Sequence, residues 1–499
     1  MPAPRPQHPA VVLVYPRTGY NFGLGLAPPH GVLALAAYLR QQEVPNRVVI
    51  VDQRVEPRWE AVLRRELEAG PLLVGISTMT GVQLKHALSA ARLVRAASPA
   101  TPILFGGVHP SLLPRQTMAS DLLDLAIVGE GEVPLHALVL ELGGGAPDLA
   151  RVPGLAWRDG HRVRLNPPPP PPDLATLPDD RLAGVDAERY VFTGTALLSG
   201  RELDLGETSR GCPRRCGYCY NTAFNGGRWR GQPAAGVIER IRRHVERHRL
   251  GSVWLRDDNF FVDVERAAEV IDWVARQGLG LYLPGITVQE FRRLPARTRE
   301  ALAGMRGAIL RFGVESGSDA ILRAIDKGIT AAEVFEVNRE CAALGLTPSY
   351  NFMIGFPGER REDVLATVAM MRRLRRENPR AQLNAVNLYT PYPGTPLYER
   401  WSAAHPEQVP ARLEDWTSFH HLSVKRGDLP RRERRFYENV VETSYQVSDT
   451  LRASLAPPLR LLHGPVRAWF GLRWRASAFS FAPELRLLRF LEQAALGLD

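Results

Sequence analysis

Thr208-Ser209-Arg210-Gly211-Cys212-Pro213-Arg214-Arg215-Cys216-Gly217-Tyr218-Cys219-Tyr220-Asn221 carries three of the chain's four cysteines; the fourth is Cys341. Gly211, Pro213 and Gly217 interrupt regular structure, so the thiols sit on a loop able to wrap one compact object. An iron–sulfur cube is held by cysteine thiolates, normally four of them. Three ligands with no fourth nearby leave one iron with an open position. A structural zinc site asks for a fourth Cys or His and a closed shell. The triplet alone admits both.

Outward from this loop the chain repeats strand and helix. Leu203 to Thr208 leads into it as a first strand, and Val237 to Leu250 follows as an Arg-rich helix. Ser252 to Arg256 is a strand ending in Asp257-Asp258-Asn259; Val264 to Gln277 is a helix, and the region of Leu281 to Thr287 a third strand. Ala308 to Glu315 runs into Ser316-Gly317-Ser318, Ala331 to Leu344 is a helix, and Pro348 to Ile354 runs into Gly355-Phe356-Pro357-Gly358. Ala385 to Thr390 is the last strand. Such βα repeats predict a partial (β/α)6 barrel over about 195–400, with its site at the strand ends. Cys341 falls on the apolar helix face of Val334, Val337 and Leu344 and reads as a core residue.

Upstream, Val11–Tyr15, Val48–Asp52, Leu72–Ser77, Ile103–Gly107 and Leu125–Glu130 are apolar strand runs alternating with helices at Gly31–Gln41, Trp59–Glu68 and Gln83–Ala97. This is α/β patterning, a doubly wound Rossmann-like sheet over residues 1–150. Ligands of such sheets bind outside the carboxyl ends of the strands. There is no GxGxxG and no Walker loop, so neither a dinucleotide nor ATP finds its phosphate cradle. Residues 151–194 read as a linker: a hairpin turning at Asp159-Gly160, then the proline run Pro167 to Pro172 as a stiff spacer. Residues 401–499 lose the strand signal and read as helices at Tyr437–Leu451, Pro465–Phe470 and Pro483–Leu496, with aromatics at Trp469, Phe470, Trp474, Phe479 and Phe481. That segment is expected to close the open side of the barrel; a separate core or a membrane-surface contact are the other readings.

Composition narrows the class. At 499 residues and 45% hydrophobic content the chain can bury large cores without disulfides. Clustered cysteines favour a reducing, cytoplasmic setting. Met1 to Pro9 has no apolar h-region, and no uninterrupted apolar run is long enough to span a membrane. The net charge of +10 comes from arginine, since lysine occurs only at Lys85, Lys327 and Lys425; no arginine stripe interleaved with aromatics precedes the last segment, so no nucleic acid is expected.

The CxxxCxxC spacing of Cys212, Cys216 and Cys219, with Tyr218 before the last, resembles the signature of the radical S-adenosylmethionine enzymes. The resemblance implies a [4Fe–4S] cluster on the three cysteines and S-adenosylmethionine on the fourth iron. It assigns Asp257 and Asp258, in place of the more usual Gly-Gly-Glu, to the ammonium of S-adenosylmethionine. Helix capping is the alternative use of that pair. It assigns Glu315 and Ser316 to the ribose and carboxylate, and Ile354, Gly355, Phe356 and Tyr218 to the adenine. The first domain resembles the cobalamin-binding domain fused ahead of many such enzymes. There Ser77, Thr78, Gly106 and Gly107 make room for the nucleotide tail. The DxHxxG motif that supplies a cobalt ligand elsewhere is missing: Pro16-Arg17-Thr18-Gly19-Tyr20 stands in its place. Cobalamin would then lack a protein histidine on cobalt, with Arg17 and Tyr20 near its lower face, and His109 reads as a loop residue with no ligand role.

The resemblance implies a cobalamin-dependent methyltransferase working on an unactivated carbon, or a phosphinate, of a small molecule. It would draw electrons from a flavodoxin or ferredoxin. A ring-forming or oxidative enzyme with the same cofactors is the first rival, and a non-enzymatic iron–sulfur or zinc scaffold the second.

Overall fold

The computed structural model describes residues 8–18, 26–193, 198, 200–419, 429–454 and 457–485. The apolar runs Val11–Tyr15 (β1), Val48–Asp52 (β2), Leu73–Ser77 (β3), Ile103–Gly106 (β4) and Leu125–Ile127 (β5) pair in parallel in the order β2-β1-β3-β4-β5. Both faces are buried, which is why β1 is apolar throughout. Val12 and Val14 pack with helices Trp59–Glu68 and Val82–Ala97. Val11 and Leu13 pack with helices His30–Gln41 and Glu132–Gly143. The strand order reverses between β1 and β3, the switch point where such sheets take their ligands.

The hairpin β6 (Leu155–Asp159) and β7 (Arg162–Leu165) corrects the linker reading. It pairs antiparallel with β5 and makes this sheet seven-stranded. A bare β5 edge would otherwise expose unpaired backbone groups. The proline run that follows lies against the second domain, where Pro172 O accepts from Arg230 Nη1 at 2.6 Å.

The second domain begins with β8 (Phe192–Thr193) and β9 (Arg201–Asp204), and a two-stranded ribbon of β10 (Ser209–Gly211) and β11 (Trp229–Gly231) carries the cysteine loop. Next come β12 (Ser252–Trp254), β13 (Gly280–Ile286), β14 (Ala308–Glu315), β15 (Thr347–Ile354) and β16 (Gln382–Leu388). The order β16-β15-β14-β13-β12-β9 is parallel throughout, a half-barrel, and β8 adds antiparallel at the β9 edge. Helix Ala331–Leu344 begins at a capping box of Thr330 and Glu333. Cys341 lies within it, fully buried in the core.

The chain then returns to the first domain. Trp416 packs beside helix Val82–Ala97 and donates to Gln116 Oε1 at 2.6 Å. Helix Arg431–Val447 and the next one, Asp449–Ser454, cover the far edge of the half-barrel: Val386 N donates to Ser444 Oγ at 2.8 Å, and Leu383 N to Asp449 Oδ2 at 2.9 Å. The expected short helix at Pro465 is one long helix, Pro457–Ala476, with Pro465 inside it. Trp474 and Phe479 join the barrel core, while Trp469 and Phe481 stay exposed. The helix expected over Pro483–Leu496 lies largely outside the described residues. Among the described residues no helix is long and apolar enough to cross a membrane.

Candidate active site

The cysteine loop is built to leave and re-enter one short ribbon. Gly211 has φ +92°, and a Cβ there would lie 1.9 Å from Arg228 O, so only glycine turns the chain into the loop. Asp257 anchors the strand behind it. Its Oδ1 accepts from Thr208 N at 3.0 Å, from Thr208 Oγ1 at 2.8 Å and from the Ser209 hydroxyl. Asp257 is only 3% exposed. Asp257 Oδ1 is thus engaged in holding the loop, while Oδ2 is buried with no hydrogen-bond partner among the described residues. Asp258 is exposed instead, accepting from Gly211 N at 3.2 Å and from Tyr220 Oη at 3.1 Å. Gly217 N donates to Ile325 O and Gly217 O accepts from Leu397 N, which pins the middle of the loop.

Burial pushes all three thiols above their ordinary values, Cys219 to about 12, with Cys216 and Cys212 adding to the rise at Cys219. One buried and two half-buried thiols on one loop disfavour the thiolate form until a cation joins them. Iron supplies that charge, so the donor set fits an iron–sulfur group. Among the described residues no three His, Cys, Asp or Glu side chains converge on a single-ion site. A cube spreads its thiolates over separate iron corners and does not require such convergence.

Asn259, whose role was not apparent in the sequence, stands behind Cys212. Its Nδ2 lies 3.7 Å from Cys212 Sγ and donates to Glu290 Oε1 at 2.8 Å. Hydrogen bonds to sulfur tune cluster potentials. Asn259→Leu is expected to lower the cluster potential by roughly 20–60 mV, the equivalent of one net hydrogen bond. A redox titration followed by electron paramagnetic resonance reads it; an unchanged potential gives the contact no role.

Glu315 ends β14 with φ +70°, an uncommon conformation for a side-chain-bearing residue and one that collects at functional sites. Its Oε1 accepts from Tyr218 Oη at 3.0 Å and from Lys327 Nζ at 2.8 Å. Burial works to lower the Lys327 pKa, but the Glu315 charge outweighs it and leaves the ammonium raised and charged. Lys327 therefore sets a fixed cation beside Cys216. Nothing in the sequence singled it out beyond the rarity of lysine. Ser316 is fully buried: its Oγ lies 3.3 Å from Thr367 Oγ1 and accepts from Ser318 N at 3.1 Å, tying the turn to helix Arg361–Glu377. Phe356 and Tyr218 come together, ring centroids 5.8 Å apart, with Tyr389 beside Phe356 at 5.3 Å. Ile354 points away into the core between sheet and helices. Gly355 (φ +89°) spends its N–H on Glu359.

A cavity of about 340 Å³ opens at the switch point of the first sheet. Its floor is small: Gly75, Ser77, Gly106, Gly107 and Gly129. A Cβ at Gly106 or Gly129 would meet nothing within 4 Å, so these glycines keep open space where side chains would otherwise stand. Such a cradle fits the nucleotide tail of a corrin. Thr78 is not in the lining: it is fully buried and its Oγ1 donates to Gly106 O at 2.9 Å, supporting the floor from beneath. Arg17 is exposed and held by Gln53 (Arg17 Nε to Gln53 O, 3.1 Å), outside the cavity lining; Tyr20 lies outside the described residues. His109 is not on a loop but inside the short helix Val108–Leu112, fully buried, with Nδ1 2.8 Å from Thr80 Oγ1 and a pKa lowered by burial to about 4.

The far wall of this cavity belongs to the other domain: Tyr220 and Phe224, just after Cys219, together with Glu207 and Arg210. Arg210 on β10 reaches back to Glu130 Oε2 at 2.6 Å and Glu132 Oε1 at 2.7 Å, and to Glu207 Oε1 at 3.2 Å. One guanidinium thus ties the cysteine ribbon to the strand ends of the first sheet.

A half-barrel bearing a three-cysteine loop at its strand ends defines a radical S-adenosylmethionine enzyme, and residues 207–371 match the family model of the Radical SAM superfamily. Residues 24–139 match that of the B12 binding domain, and the chain belongs to the cobalamin-binding radical S-adenosylmethionine enzymes. It is similar to an uncharacterized methyltransferase of Pyrococcus horikoshii, 29% identical over 74% of this chain and 78% of the relative. It is also similar to the cytidylyl-2-hydroxyethylphosphonate methyltransferase of Streptomyces wedmorensis, 25% identical over 58% of this chain and 59% of the relative. Its fold is shared with the cobalamin-dependent S-adenosylmethionine radical enzyme OxsB, TM-score 0.71 at 16% identity, over 98% of this chain and 75% of that one.

Proposed function

We propose that this chain is a cobalamin-dependent methyltransferase that alkylates an unactivated carbon, or a phosphinate, of a small molecule. The observation that carries the reading is the shared cavity: Tyr220 and Phe224, adjoining Cys219, wall the glycine cradle of the first domain. A corrin there and a cluster on the loop become neighbours. Two relatives with methyltransferase names support the same reaction class.

When bound, the three groups supply the electron, the 5′-deoxyadenosyl radical and the methyl group. The chain's own residues hold and orient them. Cys212, Cys216 and Cys219 take three irons. Asp258 is the open carboxylate for the ammonium of S-adenosylmethionine. Glu315, fixed by Lys327 and Tyr218, faces its ribose, and the Tyr218–Phe356 pair packs its adenine. Ser77, Gly106 and Gly107 accommodate the corrin tail. The electron comes from a small donor such as a flavodoxin or ferredoxin.

Gly106→Val puts a branched side chain into the cradle at a position where its Cβ meets nothing within 4 Å. Overpacking of about 1–3 kcal/mol is expected to cut cobalamin affinity about tenfold or more with iron content unchanged. Equal cobalamin retention in this variant places the corrin elsewhere. The reaction class is tested with S-adenosylmethionine carrying a deuterated methyl group and reduced holoenzyme. Label in the bound corrin, and in a product heavier by one methyl, is expected. Deoxyadenosine formed with no methyl moved sinks the methyltransferase in favour of a ring-forming or oxidative reaction.

A further inference from the structure

On the barrel's lumen face, Arg311 carries a charge that no described residue answers. On β14, Leu310, Phe312 and Val314 pack into the core shared with the outer helices, while Ile309 joins Trp254 and Tyr282 on the opposite, lumen face. The period of two puts Arg311 on that lumen face as well. Its guanidinium carbon lies 5.2 Å from the Tyr282 ring. Arg256 approaches the same ring at 5.8 Å, and Tyr282 stacks on Trp254 with centroids 4.0 Å apart. Two guanidiniums therefore crowd one aromatic stack.

Their neutralisation is unequal. Arg256 is paired with Asp204, which is fully buried, and Lys327 with Glu315. Glu202, the other carboxylate near the stack, accepts from the Trp254 indole at 2.8 Å. No described residue forms an ion pair or hydrogen bond with Arg311, and its Nε is buried without a partner. Its neighbours across the ladder are neutral: Ser349 is its register partner, and Asn384 Nδ2 bridges Ser349 Oγ at 3.0 Å and Asn351 Oδ1 at 2.7 Å. Arg311 is half-buried, with its Nε buried and unpartnered, so holding this charge beside a second guanidinium is costly unless an anion faces it. Its planar fork matches a carboxylate or phosphate.

We propose that Arg311 anchors an anionic group of the substrate, a carboxylate, phosphate or phosphonate, over the Tyr282–Trp254 stack. This rests on the proposed methyltransferase reading and adds to it that the substrate reaches into the barrel lumen. Arg311 and Glu315 are four residues apart, roughly 13 Å along the strand. The anion is thus held deep, and the reacting carbon is left near the cysteine loop. The substrate class that follows is a small organic anion of about that reach.

The test uses the anaerobically reconstituted full chain, with inorganic phosphate and S-adenosylmethionine as separate probes in equilibrium dialysis. Arg311→Met is expected to weaken phosphate binding about tenfold, and Arg311→Lys to recover part of it. S-adenosylmethionine affinity should stay within about twofold in both. No saturable phosphate binding in the parent protein, or equal binding in Arg311→Met, overturns the proposal. So does a tenfold loss of S-adenosylmethionine affinity, which would give the guanidinium to that molecule's carboxylate. Iron and corrin contents measured on the same samples report folding. A parent protein that binds phosphate at Arg311 but no corrin contradicts the methyltransferase reading and leaves the anion site standing.

Discussion

Cys216→Ala is expected to reduce iron from about four per chain to near zero and to abolish cleavage of S-adenosylmethionine. Cys216 is the most buried of the three loop thiols, at the turn where Cys219 N donates to Cys216 O, and its removal leaves two ligands at the rim of the loop. Cys341→Ala is the control. Cys341 lies in the core of helix Ala331–Leu344, so this variant should lose some stability and no iron. Iron and sulfide analysis after anaerobic reconstitution reads both. Zinc in place of iron in the parent, or iron retained in Cys216→Ala, contradicts the assignment.

Arg210→Met is expected to destabilise the protein by about 3–5 kcal/mol at neutral pH, since it strands buried carboxylates. Burial pushes the Glu132 carboxyl up, yet the Arg210 charge and hydrogen bond outweigh it and hold it below its ordinary value. At Glu207, burial is likewise overcome by Arg181 and Arg210. Depressed carboxylates contribute stability that is present above their unfolded pKa and lost as pH falls through the folded one. The gap between parent and variant should therefore narrow below about pH 4.3. Denaturant unfolding of the apoprotein across that range measures it. A neutral-pH loss under about 1 kcal/mol would mean the latch acts as an exposed pair. Because Arg210 and Glu132 also line the corrin cavity, cobalamin retention should fall with stability.

The elements that could be read from the sequence are those whose signals are local. The largely β-branched apolar runs that make up β1 and all of β2 but its last residue, Asp52, mark buried strands, and the capping box of Thr330 and Glu333 marks where helix Ala331–Leu344 begins. The hairpin β6–β7 was visible as a hairpin, but its place on β5 depends on an edge no local pattern reveals. Helix Glu132–Gly143 went unread because Gly131 and Pro134 stand at its start, where proline is tolerated in the first turn. At the site, the three cysteines declared themselves by spacing. The bracing done by Asp257 and Ser316 was not legible for a physical reason: a polar residue at a strand end can face a ligand or brace the loop that does, and their hydrogen bonds brace. Lys327, Asn259, Arg210 and Arg311 draw their meaning from partners, or the lack of one, 12 or more residues away in the chain or across the domain boundary.

The most direct measurement is the visible spectrum and iron content of the full chain, reconstituted anaerobically with iron, sulfide and hydroxocobalamin, then desalted. One corrin and about four irons per chain are expected together, with the corrin lost in Gly106→Val and the iron lost in Cys216→Ala. A protein that holds its cluster but retains no corrin would contradict the account at its centre.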